Sequence, residues 1–165
     1  FGDGAGAAYL EESDKGIISV VQGSIGKKGM VLNCESRRTH NIFTEAGIEH
    51  DYLHMDGQEV YKFAVRQCPK CLLEALEKAD MTADDIDYFV LHQANVRIIE
   101  SVAKRLKAPI EKFPMTLGYT GNMSAASVPV MLDSLVRDGG LKRGDKVAMS
   151  AFGAGLTYGA IVLEW

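Results

Sequence analysis

Apolar positions along the chain follow two rhythms that replace one another from segment to segment. Ile17 to Val21 is a β-branched run bounded by Gly16 and Gly23, which predicts a strand. Tyr52 to Met55 and Tyr88-Phe89-Val90-Leu91 are further strand candidates. Lys146 to Ala151 and Leu156 to Leu163 supply two more, joined around Gly153-Ala154-Gly155. Between these runs the spacing turns helical. Val60, Phe63, Ala64, Leu72, Leu73 and Leu76 predict a helix that opens at Asp56-Gly57 and closes near Ala79. Pro69 is expected to kink or split it, because proline removes a backbone donor and crowds the preceding turn. Asn95 caps a second helix with Val96, Ile99, Val102, Ala103 and Leu106 on its apolar face, and Pro109 follows its end. A third runs from Ser124 to Val136, with Pro129 near its first turn, and stops at Asp138-Gly139-Gly140. Thr82 and Asp85 have the spacing of a capping pair over a short helical turn. Gly26 to Gly47 and Gly118 to Gly121 read as loops, and the glycines at 2, 4 and 6 as a tight turn into an extended stretch around Ala7 to Leu10. Helices alternating with apolar strands predict a layered α/β sheet whose last two strands form a hairpin.

Composition narrows the class. At 165 residues the chain is one domain long, and 47% hydrophobic with 24% charged residues is ordinary globular usage. Eighteen basic residues against twenty-two acidic ones leave a net charge of −4, which argues against nucleic acid as the main partner. Three cysteines make an odd count, so a disulfide scaffold is not expected and a reducing cytoplasm is. No apolar run approaches the roughly 20 residues of a membrane span. The opening Phe1-Gly2-Asp3-Gly4 lacks a methionine and reads as the middle of a longer protein.

Five places could carry chemistry or recognition. His92 directly follows an apolar strand and precedes a helix, the position where open α/β sheets bind ligands; a histidine that merely closes a turn fits equally. Asn122 lies in the small-residue loop Gly121-Asn122-Met123-Ser124-Ala125-Ala126-Ser127, and taken alone it or Ser124 reads as a helix cap. Phe152-Gly153-Ala154-Gly155 could aim backbone N–H groups at an oxyanion or be a plain hairpin turn. Cys68-Pro69-Lys70-Cys71 has a metal-like spacing but no second pair of ligands. The two thiols read as core residues, and Cys34 lacks the strand-to-helix setting of a nucleophile. Arg97, Lys104 and Arg105 share a helix face and with Lys62 form a basic patch, either a solvated surface or a dock for an acidic or phosphorylated partner.

Taken together, His92-Gln93-Ala94-Asn95, Gly121 to Ser127, Phe152-Gly153-Ala154-Gly155-Leu156-Thr157-Tyr158-Gly159, the opening Phe1 to Ala7 and Met55-Asp56-Gly57-Gln58-Glu59-Val60-Tyr61-Lys62 closely resemble the C-terminal half of the bacterial β-ketoacyl-acyl carrier protein synthase III family, within the thiolase-like superfamily. The likeness covers almost the whole chain and is weakest between Gly26 and Asp51. It implies a thiolase-like α/β half over residues 1–165, with a mixed five-stranded sheet between helical layers and an antiparallel terminal strand. It also implies decarboxylative Claisen condensation of an acyl group from acyl-CoA with malonyl-acyl carrier protein, without a cofactor or metal. His92 and Asn122 would donate to the thioester enolate, and the Ala154 N–H would serve the acyl oxyanion hole, where most relatives carry glycine. Asn95, Gly57, Gln58 and Phe152 would line the substrate tunnel. Lys62, Arg97, Lys104 and Arg105 would dock the carrier protein. The family's nucleophilic cysteine belongs to an N-terminal half that this chain does not include, so the chain alone is expected to be inactive and to need that half and a homodimer. A non-catalytic carrier-binding domain, or a condensing enzyme of the aryl-CoA or polyketide type, are the alternatives.

Overall fold

The structure, a computed structural model, describes residues 1–34 and 52–165. Most of the Gly26 to Gly47 loop expectation therefore lies outside the described residues; its start is a 3-10 segment, Gly26–Val31.

Four strands form one mixed sheet in the order β1-β6-β5-β4. They are β1 (Ile17–Ser24), β4 (Tyr88–Leu91), β5 (Lys146–Gly153) and β6 (Thr157–Glu164). β4 runs parallel to β5, β5 and β6 pair as an antiparallel hairpin from Lys146↔Glu164 to Gly153↔Thr157, and β1 lies antiparallel on the far side of β6. The expected fifth strand does not join them. Among the described residues its candidate shrinks to β3 (His54–Met55), which pairs with β2 (Leu32–Asn33) in a separate ribbon. Both β3 residues are exposed, so it has no apolar face to bury in the main sheet.

Helices cover the two faces unequally. α1 (Gly57–Lys78) and α2 (Val96–Leu106) pack on one face, where Ala64, Leu72, Leu76, Phe89, Ile99, Val102, Ala148 and Val162 share one core. α4 (Ser127–Arg137) covers the other face over β4 and β5, with Val90, Met131, Leu141 and Val147. β4 is sandwiched, its residues alternating between the two cores, which explains its unbroken apolar sequence. β1 is half covered: Ser19 and Val21 are buried, while Ile18 and Val20 on the opposite face are 41% and 48% exposed. The helix starts follow local chemistry. Asp56 accepts from the Gln58 and Glu59 N–H groups at 3.0 Å, Asn95 accepts from Arg97 N–H at 2.9 Å, and Thr82 with Asp85 forms a capping box.

Pro69 neither ends nor divides α1, which is continuous over 22 residues. Proline leaves the carbonyl four residues back without its helical donor. Here that carbonyl belongs to Val65, and Arg105 of α2 donates to it at 3.0 Å. Residues 118–121, expected as a loop, lie largely in the single turn α3 (Leu117–Thr120). The third helix starts late: Ser124–Ala126 is 3-10 and α4 begins at Ser127, because Ser124 sits at a left-handed φ of 53° that a regular helix cannot include. The glycines at 2, 4 and 6 make no turn. A Cβ on Gly2 would lie 1.9 Å from the Thr120 carbonyl oxygen, and on Gly6 2.6 Å from Pro129, so they let the opening segment press against the stretch from Thr120 to Pro129. No helix among the described residues is long and apolar enough to cross a membrane.

Candidate active site

His92 stands at the carboxyl end of β4. Its N–H donates to the Ser150 carbonyl at 2.9 Å, prolonging the parallel ladder by one residue and fixing where the side chain begins. The ring packs edge-on against Phe152 of β5 at 5.3 Å, and Phe152 in turn meets Phe63 of α1. His92 Nδ1 lies 2.6 Å from the Ser127 hydroxyl. Burial pulls its pKa below the ordinary imidazole value, since a desolvated cation is disfavoured.

Gln93, fully buried, braces the turn behind it. Its side-chain amide donates to the Leu91 carbonyl at 2.9 Å, and its carbonyl accepts from the Thr116 N–H at 3.1 Å. The end of β4 is thereby tied to the segment that leads through α3 into the Asn122 loop. Neither Gln93 nor Ser127 is singled out by sequence reasoning. The only signal was that both are polar residues inside the two motifs, and polar groups that are buried must be bonded.

Asn122 does not cap α4, which has no side-chain cap; its Oδ1 accepts from the Ser124 N–H at 2.9 Å within its own loop. That bond identifies the oxygen end of the carboxamide and leaves the Nδ2 protons without a partner among the described residues. The Asn122 carbonyl accepts from Gly2 N–H at 2.8 Å, pinning the opening segment to the loop.

His92, Asn122 and Ala154 line one cavity of about 330 Å³, with Asn95, Gly57 and Phe152 also on its wall and Val60, Tyr61 and Ile98 among its apolar members. Ala154 is at the β5–β6 turn, and its φ is not left-handed, so its methyl costs no strain there. Its N–H makes no backbone hydrogen bond among the described residues, while its carbonyl accepts from the Thr157 hydroxyl at 3.0 Å. A cavity of this size with an apolar wall and a few polar residues on it has the features of a small-molecule site.

Gln58 is not on that wall. It is exposed in the first turn of α1, where its N–H serves the Asp56 cap. The four expected docking cations also differ from one another. Lys62 pairs with Glu59 at 3.0 Å, and Lys28 holds the same carboxylate at 2.8 Å; the hydrogen bonds from the two ammonium groups, Lys28's the stronger, bring the Glu59 pKa down to about 2. Arg105 is spent on the Val65 carbonyl. Arg97 and Lys104 are exposed and form no ion pair among the described residues. Cys68 and Cys71 are buried, Cys71 within 3.2 Å of the Cys68 carbonyl and 3.4 Å of the Ser150 hydroxyl. Burial pushes the Cys68 thiol up to about 12 and the Cys71 thiol upward as well. None of the three cysteines lines the cavity.

Residues 76–165 match the family described as 3-oxoacyl-[acyl-carrier-protein (ACP)] synthase III C terminal. The β-ketoacyl-[acyl-carrier-protein] synthase III of Synechococcus sp. (strain WH7803) is 47% identical over 171 residues, covering 100% of this chain and 50% of that protein. The crystal structure of the Thermus thermophilus synthase III superposes with a TM-score of 0.81 at 40% identity, over 93% of this chain and 47% of that one. The priming β-ketosynthase of the R1128 polyketide pathway gives a TM-score of 0.80 at 38% identity, over 90% and 45%. The chain thus spans about half the length of the curated relatives it matches. With its mixed sheet, its helical layers and these relatives, the chain belongs to the β-ketoacyl-acyl carrier protein synthase III C-terminal family and has a thiolase-like fold.

Proposed function

We propose that residues 1–165 are the C-terminal half of a condensing enzyme that joins an acyl group from acyl-CoA to malonyl-acyl carrier protein with loss of CO₂, the step that starts fatty acid synthesis. The observation that carries this reading is the convergence of His92, Asn122 and Ala154 on one cavity from three separate loops. Decarboxylation of a malonyl thioester leaves negative charge on the thioester oxygen, and fixed donors aimed at it lower the barrier most. Asn122 has its amide protons available for this, and His92 stands across the same cavity. The Ala154 N–H serves the acyl thioester oxygen, while Asn95, Gly57 and Phe152 shape the approach and the exposed Arg97 and Lys104 offer positive charge to an acidic carrier protein.

The thiol that holds the acyl group belongs to the other half. Cys68 and Cys71 are buried and protonated at neutral pH, and Cys34 is not among the residues that line the cavity. Incubated alone with labelled acetyl-CoA, the chain therefore takes up no thiol-bound label; stoichiometric label on any of its cysteines contradicts this. In a protein carrying the cysteine-bearing half upstream of Phe1, His92→Ala lowers condensation on the order of 10²–10³-fold. An unchanged rate removes the histidine from the mechanism and favours a carrier-binding domain. The likeness to the R1128 ketosynthase keeps a polyketide-type acyl group as the second reading, and competition between short acyl-CoA and aryl-CoA starters separates the two.

A further inference from the structure

We infer that Ser127 sets the tautomer of His92, placing the imidazole proton on Nδ1 and leaving Nε2 a bare proton acceptor. A hydroxyl has one proton to give. The Ser127 hydroxyl lies 2.6 Å from the Ser124 carbonyl oxygen, an atom that only accepts, so its proton goes there. The same hydroxyl oxygen lies 2.6 Å from His92 Nδ1 and 3.4 Å from the Gln93 N–H. With its proton committed, Ser127 meets Nδ1 with a lone pair, and a bond at that length requires the hydrogen to be on Nδ1. The reverse arrangement would press the lone pairs of Ser127 and Ser124 together at 2.6 Å.

The surroundings hold this arrangement in place. Ser127 is wholly buried, so water does not compete for its hydroxyl. Ser124 has a left-handed φ of 53°, and its N–H is held by Asn122 Oδ1, which together orient its carbonyl. Nε2 has no partner among the described residues, yet every buried side-chain nitrogen and oxygen among them is bonded. Nε2 is therefore open to solvent in the recesses that His92 lines.

The consequence rests on the condensing role proposed above. In this tautomer a neutral imidazole accepts at Nε2 and cannot donate there. To donate to an enolate oxygen, Nε2 must first take one proton from solvent, and the donor is then the imidazolium. The developing oxyanion favours that form and burial opposes it. The other titratable side chains on the recess walls are Tyr61 and Tyr158. Ser127 is in this sense a positioning residue: it touches no substrate and decides which charge state of His92 can act.

Long-range proton–nitrogen spectra of the chain labelled with ¹⁵N-histidine read the protonation of each ring nitrogen, the His92 signals being identified by their loss in His92→Gln. At about pH 8, above the ordinary imidazole pKa, the native chain is expected to show a protonated Nδ1 and a bare Nε2. The excess of that tautomer is about tenfold, the bias that one net hydrogen bond supplies. In Ser127→Ala that excess disappears and the Nε2–H form rises to parity or beyond. A native chain with its proton on Nε2 overturns the inference without any variant, and so does a ratio left unchanged by Ser127→Ala in a variant with native amide spectra. Neither reading needs turnover, so they are distinct from the failure of the condensing role, which shows as an undiminished rate in His92→Ala.

Discussion

Asn122 illustrates how a bond to the backbone two residues on fixes which end of a carboxamide is held and which is left over. A carboxamide offers an acceptor at one end and two donors at the other, and the Ser124 N–H takes up the acceptor. Replacing it by alanine removes the donors and the brace together. In the enzyme with its cysteine-bearing half, Asn122→Ala is expected to lower malonyl decarboxylation on the order of 10²–10³-fold, read as CO₂ release. Titratable residues give a second prediction. Burial lowers the His92 pKa from its ordinary 6.5, so the unfolded chain binds the extra proton first. Stability present above about pH 6.5 is therefore lost progressively as pH falls through the folded-state value. Urea melts should show that loss flattened in His92→Gln. Cys68 has the opposite sign: its folded pKa is raised from 9.0 to about 12. The stability this confers is complete below pH 9 and is lost as pH climbs toward 12, and alkylation of Cys68 at neutral pH should wait for unfolding.

Among the elements, α1 records a conflict between local preference and packing. A proline thirteen residues into a helix costs about 3 kcal/mol against alanine in isolation, which is why the sequence predicts a kink or a split. The helix continues because a guanidinium from α2 reaches the carbonyl that Pro69 leaves bare. Arg105→Ala is expected to destabilise the chain by about 1 kcal/mol, and by close to nothing in a Pro69→Ala background, where the restored N–H reaches Val65. A double-mutant cycle in urea measures that coupling; additive losses would separate the two residues. Arg105 is legible in sequence only as a surface cation on the same face as Arg97. Its partner lies 40 positions away, and no local pattern reports such a pairing. The sheet teaches a related lesson. Four of five strand candidates were recognisable from apolar runs because each buries one or both faces. The fifth, around His54–Met55, had β-compatible residues but no face to bury, and tertiary packing assigned it to a two-residue ribbon.

For the molecule as a whole, the unequal covering of the sheet is the feature with the largest consequence. α4 shields β4 and β5, but β1 is an edge strand whose outer face carries Ile18 and Val20, and the opening segment leaves Tyr9 and Leu10 exposed. An edge with unpaired backbone groups and apolar side chains invites association. The isolated chain is expected to self-associate in sedimentation, and Val20→Lys to return it toward monomer with little loss of thermal stability. Supplying the N-terminal half in trans should compete with that self-association. A chain that remains monomeric at high concentration with its native residues would show that this face needs no cover.

Local chemistry settled a good deal without a fold. Most strand and helix positions, the Asp56 and Asn95 caps, the Thr82–Asp85 pair and the motifs around His92, Asn122 and Ala154 follow from side chains within a few positions of one another, and such interactions are written in order along the chain. The chain alone could not decide what those motifs do together. His92, Asn122 and Ala154 share a cavity because β4 runs beside β5, Gln93 bolts the end of β4 to the approach to α3, and the opening glycines admit the first residues against the Asn122 loop. The protonation of His92 depends on a serine 35 positions away. Contacts of that range exist only after the sheet has brought distant segments together, and they decide which groups are left free to act.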